Sequence, residues 1–271
     1  MNFIQILILG LVSGLTEFLP LSASGHQRLM MHLFGQSGLD PLCSAIFSVA
    51  LLMAVITGCS GQLRRLLAER SIELRGAKFR AYGGRRYDYR LVKTAAVPIC
   101  IAYALSSLLQ ISVGLPGLTL SFLIGGIILF RVAIMPQGNK DSRRMTKLDS
   151  LVISAFGCIS VIPGISLVGM VASGGIARGA QRQSALNWAL MITIPVLLVR
   201  VIMDLLRVII EGTTLGFVSF LYCLIGALFA YIGGRISIRL VRFAVSRSGL
   251  SGFSYYVWGA ALLTFILFLI T

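Results

Sequence analysis

Polar and charged positions are gathered into short intervals along the chain, with long apolar stretches between them. Residues 41–63, 94–130, 150–177, 183–199, 212–234 and 248–271 contain no Asp, Glu, Lys or Arg. Crossing the hydrocarbon core of a bilayer takes roughly 20 apolar residues, so several of these stretches are long enough to span. The expected spans lie at 40–60, 91–111, 117–135, 183–204, 215–234 and 252–270. Two further apolar segments, 3–36 and 150–180, are interrupted by proline, glycine and small polar residues. Irregular backbone is tolerated at membrane depth only inside protein or beside a water-filled cavity, so both segments are expected to be re-entrant helix pairs.

Charge orients these elements. Ten basic and three acidic residues fall between Arg64 and Lys93; a second basic cluster holds Lys140, Arg143, Arg144 and Lys147, and a third holds Arg235, Arg239, Arg242 and Arg247. Each cluster is expected to fill a gap between spans, the pattern that keeps such loops cytoplasmic. The net charge of +15 therefore reads as topology, with no nucleic-acid partner expected. On this orientation three spans are followed by three of opposite sense, and each triplet is preceded by one broken segment. The two broken segments share a pattern: Pro20, Ser22 and Gly25 in PLSASG correspond to Pro163, Ser166 and Gly169 in PGISLVG. Paired interrupted segments in corresponding halves mark an inverted repeat with its site at the repeat interface. The fold expected is an all-α polytopic membrane protein, with six transmembrane helices and two re-entrant pairs. It forms a single membrane domain over 1–271, in two inverted halves at 1–135 and 150–271.

Composition agrees, since 57% hydrophobic residues is more apolar surface than a soluble core of this size buries. The five cysteines (Cys43, Cys59, Cys100, Cys158, Cys223) stand singly in apolar surroundings and read as small core residues, neither disulfides nor metal ligands. The first apolar stretch lacks a basic start and carries Glu17 near its end, so it is expected to remain part of the fold. Trp188 and Trp258 read as packing or interface anchors, and Arg200 with Asp204, four apart, as a pair on one helix face.

The strongest chemical signal is GLTEFLPLSASGH, Gly14 to His26, which sets an acid, hydroxyls and an imidazole in a region otherwise built to meet lipid. An ionisable residue inside a membrane is expensive and is a functional hypothesis by default. Glu17, Ser22 and His26 are the candidate catalytic groups. Here the sequence resembles the undecaprenyl-pyrophosphate phosphatases, bacterial membrane enzymes associated with bacitracin resistance. The matching pieces are this motif, TAAVP (Thr94–Pro98), IPGIS (Ile162–Ser166), SGGIARGAQRQSA (Ser173–Ala185) and FSYYVWG near the end, in order over nearly the whole chain.

The resemblance implies hydrolysis of undecaprenyl diphosphate to undecaprenyl phosphate at a multi-pass site in the bacterial inner membrane, serving lipid-carrier recycling for peptidoglycan. It places Glu17, Ser22, Ser24, His26 and Ser166 on active-site positions and implies a divalent cation, Mg or Ca, at Glu17. Ser24, Ser166, Arg178 and Arg182 are candidates for holding the polyprenyl diphosphate headgroup, with Arg28 a further source of positive charge. Three departures bear on the chemistry. Ser13 stands where a second Glu is usual, Ala23 where the second serine is usual, and Leu167 where an arginine is expected to grip phosphate. Loss of a phosphate-stabilising arginine and of half a metal site strikes the transition state of phosphoryl transfer directly. The alternative expectation is a non-catalytic polyprenyl-phosphate carrier, because alternating access needs a binding site and no nucleophile. A homodimer is an open expectation for assembly.

Overall fold

The computed structural model describes residues 1–74, 86–213, 215–247 and 250–271, all helix or connection. The basic positions Arg75, Lys78, Arg80 and Arg85 lie outside the described residues. Eleven helices follow one another among the described residues: α1 Phe3–Glu17, α2 Ala23–Leu33, α3 Pro41–Gly58, α4 Ser60–Leu74, α5 Arg86–Leu108, α6 Leu115–Ala133, α7 Lys147–Ile159, α8 Leu167–Ala177, α9 Arg182–Glu211, α10 Phe217–Arg247 and α11 Ser251–Ile270.

Six of them, α3, α5, α6, α9, α10 and α11, are long and apolar enough to cross a membrane, as the charge-free stretches predict. Their outward positions stay apolar: Ile124, Ile127, Leu228, Phe265 and Leu269 are all exposed. Such a surface is stable against lipid, where no hydrophobic penalty attaches to it. Two elements differ from the expectation. The first basic cluster begins on a helix, α4, which its charge density concealed. The third cluster fills no gap, because α10 runs unbroken through Arg235, Arg239 and Arg242 to Arg247.

The remaining apolar helices are short. At about 1.5 Å rise per residue, α1 with 15 residues and α2 with 11 each fall short of the ~30 Å hydrocarbon core, as do α7 with 13 and α8 with 11. Pro20 limits α1, and the chain restarts at Ser22, whose hydroxyl accepts from the Gly25 N–H as the N-cap of α2. Pro163 and Gly164, the latter at φ +102°, separate α7 from α8, which restarts at Ser166 with its hydroxyl accepting from the Gly169 N–H. The two breaks meet. Gly164 N–H donates to Ser22 Oγ at 3.2 Å, and Ser166 Oγ donates to the Leu19 carbonyl at 3.2 Å.

Helix α1 is fixed by its approach to α10. Gly10 and Gly14 lie against Gly226 and Ala230 so closely that a Cβ at either position would collide with the facing carbonyl oxygen. Small residues spaced four apart let two backbones pack in this way, which supplies the attraction that lipid cannot. The same face of the molecule corrects the cysteine reading: Cys43 of α3 and Cys223 of α10 form a disulfide with Cα atoms 5.5 Å apart. Cys59, Cys100 and Cys158 are free thiols, as expected.

Candidate active site

The two helix breaks floor a polar cavity of about 630 Å³, walled by α2, the α5–α6 connection and the last turns of α9. Glu17, Ser22, Ser24, Ser166 and Arg28 line it, together with Gln27, Arg200, Asp204 and Arg207. Glu17 ends α1 with its side chain 7% exposed, and both its oxygens accept from Arg200 Nη1, at 2.9 and 3.1 Å. The sequence pairs Arg200 with Asp204, whereas in the structure Arg200 reaches across to α1. Asp204 instead accepts from Ser44 Oγ at 2.9 Å and Ser48 Oγ at 3.3 Å.

Ser22 is held in an unusual conformation, φ +69°, which a residue with a Cβ rarely adopts. Its oxygen accepts from two N–H groups, those of Gly25 and Gly164, and lies 3.3 Å from Ser24 Oγ. The hydroxyl proton of Ser22 thus has Ser24 as its neighbour. Ser24 is half-buried and lines the cavity, so it is the more accessible hydroxyl of the two.

His26 sits behind this wall and is not among the lining residues. Its Nδ1 is 2.8 Å from the Ser22 carbonyl oxygen and its Nε2 is 3.1 Å from the Tyr256 hydroxyl. A carbonyl only accepts, so Nδ1 carries the proton and Tyr256 donates to Nε2. Phe122 meets the ring edge-on and Tyr256 stacks on it. In this geometry the imidazole anchors the Ser22 peptide, and among the described residues it makes no hydrogen bond with a serine hydroxyl.

Arg178 and Arg182 are not brought to the cavity. They follow α8, about 16 Å of helix rise from the break at Ser166. Arg178 binds Asp149 at the start of α7, and Arg182 donates to the Ala133 and Met135 carbonyls that end α6. The cavity's cations are Arg28, Arg200 and Arg207. Arg28 donates to Ser112 Oγ and the Ile111 carbonyl, and Arg207 to the Ser107 carbonyl. Sequence reasoning missed Arg200, Arg207, Gln27 and Tyr256. A charge inside an apolar span was the signal available for Arg200.

A sequence model of the family described as bacitracin resistance protein BacA matches residues 6–263. The chain belongs to this family. Similar relatives include an undecaprenyl-diphosphatase of Carboxydothermus hydrogenoformans, 26% identical over 95% of this chain and 94% of that protein. Another from Thermosipho africanus is 29% identical over 96% of this chain and 98% of that protein, and one from Corynebacterium glutamicum is 26% identical over 98% and 90%.

Within the BacA family pattern, the three departures have clear places in the structure. Ser13 is fully buried, donates to the Leu9 carbonyl at 2.6 Å and accepts from Gln27 Nε2 at 2.8 Å. Ala23 opens α2, and Leu167 opens α8; both line the cavity.

Proposed function

We propose that this chain hydrolyses undecaprenyl diphosphate to undecaprenyl phosphate and inorganic phosphate, on the outer face of the bacterial inner membrane, as part of lipid-carrier recycling. The observation that carries the reading is a buried carboxylate, Glu17, and two hydroxyl-capped helix starts at the base of one cationic cavity. Helix N-termini present unpaired N–H groups and favour anions, and α2 and α8 both begin here. Arg28, Arg200 and Arg207 outnumber Glu17 and Asp204 in the lining, which suits a diphosphate.

Sidedness supports the outer face. The cavity is built from the ends of α5 and α9 and the starts of α3 and α6, whereas Arg64, Lys140, Arg178 and Arg242 belong to the opposite helix ends. Under positive-inside orientation those basic ends are cytoplasmic. The matched caps at Ser22 and Ser166, each in contact with the other break, support a reading of α1–α2 and α7–α8 as re-entrant pairs of an inverted repeat.

In the reaction, a water oxygen bonds to the terminal phosphorus as the bridging P–O bond breaks. Undecaprenyl phosphate leaves with the bond's electron pair, and Glu17 takes the proton lost by the water. Ser22, Ser24 and Ser166 orient the phosphates beside the helix N-termini. His26 is a positioning residue that holds the Ser22 turn. Phosphoryl transfer depends chiefly on such positioning and charge stabilisation. No observation favours the carrier alternative, since the relatives named above are diphosphatases.

The test is phosphate release from undecaprenyl diphosphate by the purified full-length protein. Turnover is expected, with Glu17→Gln lowering it about 10²-fold or more. No release by the unmodified protein overturns the reading.

A further inference from the structure

We infer that Arg200 is the built-in cation of this site, bridging Glu17 and the terminal phosphate of the substrate, so that diphosphate binding requires no divalent metal. This rests on the polyprenyl-diphosphate reading above and names a residue for it that neither the motifs nor the family resemblance supplies.

The residues present do not fit a divalent cation. Magnesium and calcium take about six to eight oxygen ligands, with carboxylates prominent among them. At the position of the expected second carboxylate stands Ser13, whose hydroxyl is already engaged on both sides, by Leu9 and Gln27. Both oxygens of Glu17 accept from Arg200, and the next carboxylate, Asp204, is held by Ser44 and Ser48 within electrostatic reach of the same guanidinium. Among the described residues no group of three or more His, Cys, Asp or Glu is arranged to hold a metal ion. A dication placed at Glu17 would sit against a fixed positive charge in a partly dry site, where like-charge repulsion is strong.

The guanidinium has the properties this role needs. It carries a permanent charge and five donors in a planar fork. One nitrogen, Nη1, serves Glu17; Nε and Nη2 make no hydrogen bond among the described residues, and the residue lines the cavity. Leu167, standing where a phosphate-gripping arginine is usual in the family resemblance, lines the same cavity. In this chain the positive charge facing that volume comes instead from the interior of α9, at Arg200. An arginine within an apolar span is energetically disfavoured and marks a functional position by default, so its presence beside Glu17 fits a role in ligand binding.

Binding of farnesyl diphosphate, a soluble polyprenyl diphosphate, to the purified full-length protein in detergent tests this by calorimetry, once with EDTA and once with excess magnesium. The expected Kd agrees within about twofold between the two conditions, and Arg200→Met weakens binding about tenfold or more in both. Glu17→Gln, which leaves Arg200 in place, is expected to keep or tighten binding while lowering turnover; if Glu17 held a metal, the same change would loosen binding. Arg200→Met leaves a buried carboxylate unpaired, so Glu17→Gln/Arg200→Met is measured beside it and is expected to show the same loss. Binding that needs magnesium, or that survives loss of Arg200 in the double variant, overturns the assignment. Absence of diphosphate binding by the unmodified protein in every condition defeats the functional reading itself.

Discussion

Ser22 concentrates several demands in one residue. Its oxygen caps α2 and receives the Gly164 N–H from the other break, and its backbone holds φ +69°. Strain of this kind persists only where surrounding contacts over-determine it, and the His26 bond to the Ser22 carbonyl is one such contact. Ser22→Ala removes the acceptor from two N–H groups at once, and a cost of about 1–3 kcal/mol follows from leaving buried donors unmet. Ser22→Asn supplies an oxygen and tolerates positive φ, so it is expected to recover part of that loss in a denaturation series.

Asp149 is a second residue with a measurable signature, far from the cavity. Burial pushes its carboxyl pKa up, but the Thr146 N–H, Arg178, the Thr146 hydroxyl and Lys140 outweigh burial and hold it below the ordinary carboxylate range. A depressed folded-state pKa adds stability above the unfolded value of about 3.9, and that stability is lost as pH falls through the lower folded value. The unfolding temperature in detergent is expected to drop in that acid window. Asp149→Asn should lower the neutral-pH value and flatten the acid decline.

At the scale of elements, the placement of Glu17 depends on the seating of α1 against α10. Gly14 lies one helical turn before Glu17 and faces Ala230, where a Cβ has no room. Gly14→Leu is therefore expected to destabilise by at least ~1–3 kcal/mol and to reduce turnover, because α1 cannot back away without carrying Glu17 from Arg200. Gly61→Ala in α4 meets nothing within 4 Å and serves as the control, with unchanged unfolding temperature and turnover. Proline inside α5 and α9, at Pro98 and Pro195, leaves both helices continuous. Neighbouring helices and local adjustment satisfy the freed carbonyls in such cases.

At the scale of the whole molecule, the six long helices were legible because lipid contact forces each to be apolar over its full length. The breaks at Pro20 and Pro163 were legible because proline, small hydroxyls and glycine violate that rule locally. Helix α4 was not, since its apolar positions, Leu63, Leu66 and Leu67 among them, are diluted by charge. In the site, Glu17, Ser22, Ser24 and Ser166 were readable as neighbours in two short motifs. Arg200 was not, because its partner lies 183 residues away and the nearer Asp204 offers a plausible local pair. Arg178 and Arg182 share the right motif but stand at the wrong end of α8, and spacing alone carries no information about which end faces the ligand.

The bridge between Cys43 and Cys223 joins residues 180 positions apart, next to the cavity-lining Ser44 and near the start of α10. Thiols are kept reduced in bacterial cytoplasm and oxidised beyond the inner membrane. With this end of the molecule on the outer side, as proposed above, the covalent clasp closes only after both helix ends have been threaded across, which makes maturation a post-insertion event. Protein produced in a reducing cell-free extract, or in a strain without periplasmic thiol oxidation, would leave this seam unsewn, a difference that alkylation mass shifts can read without any assay of activity.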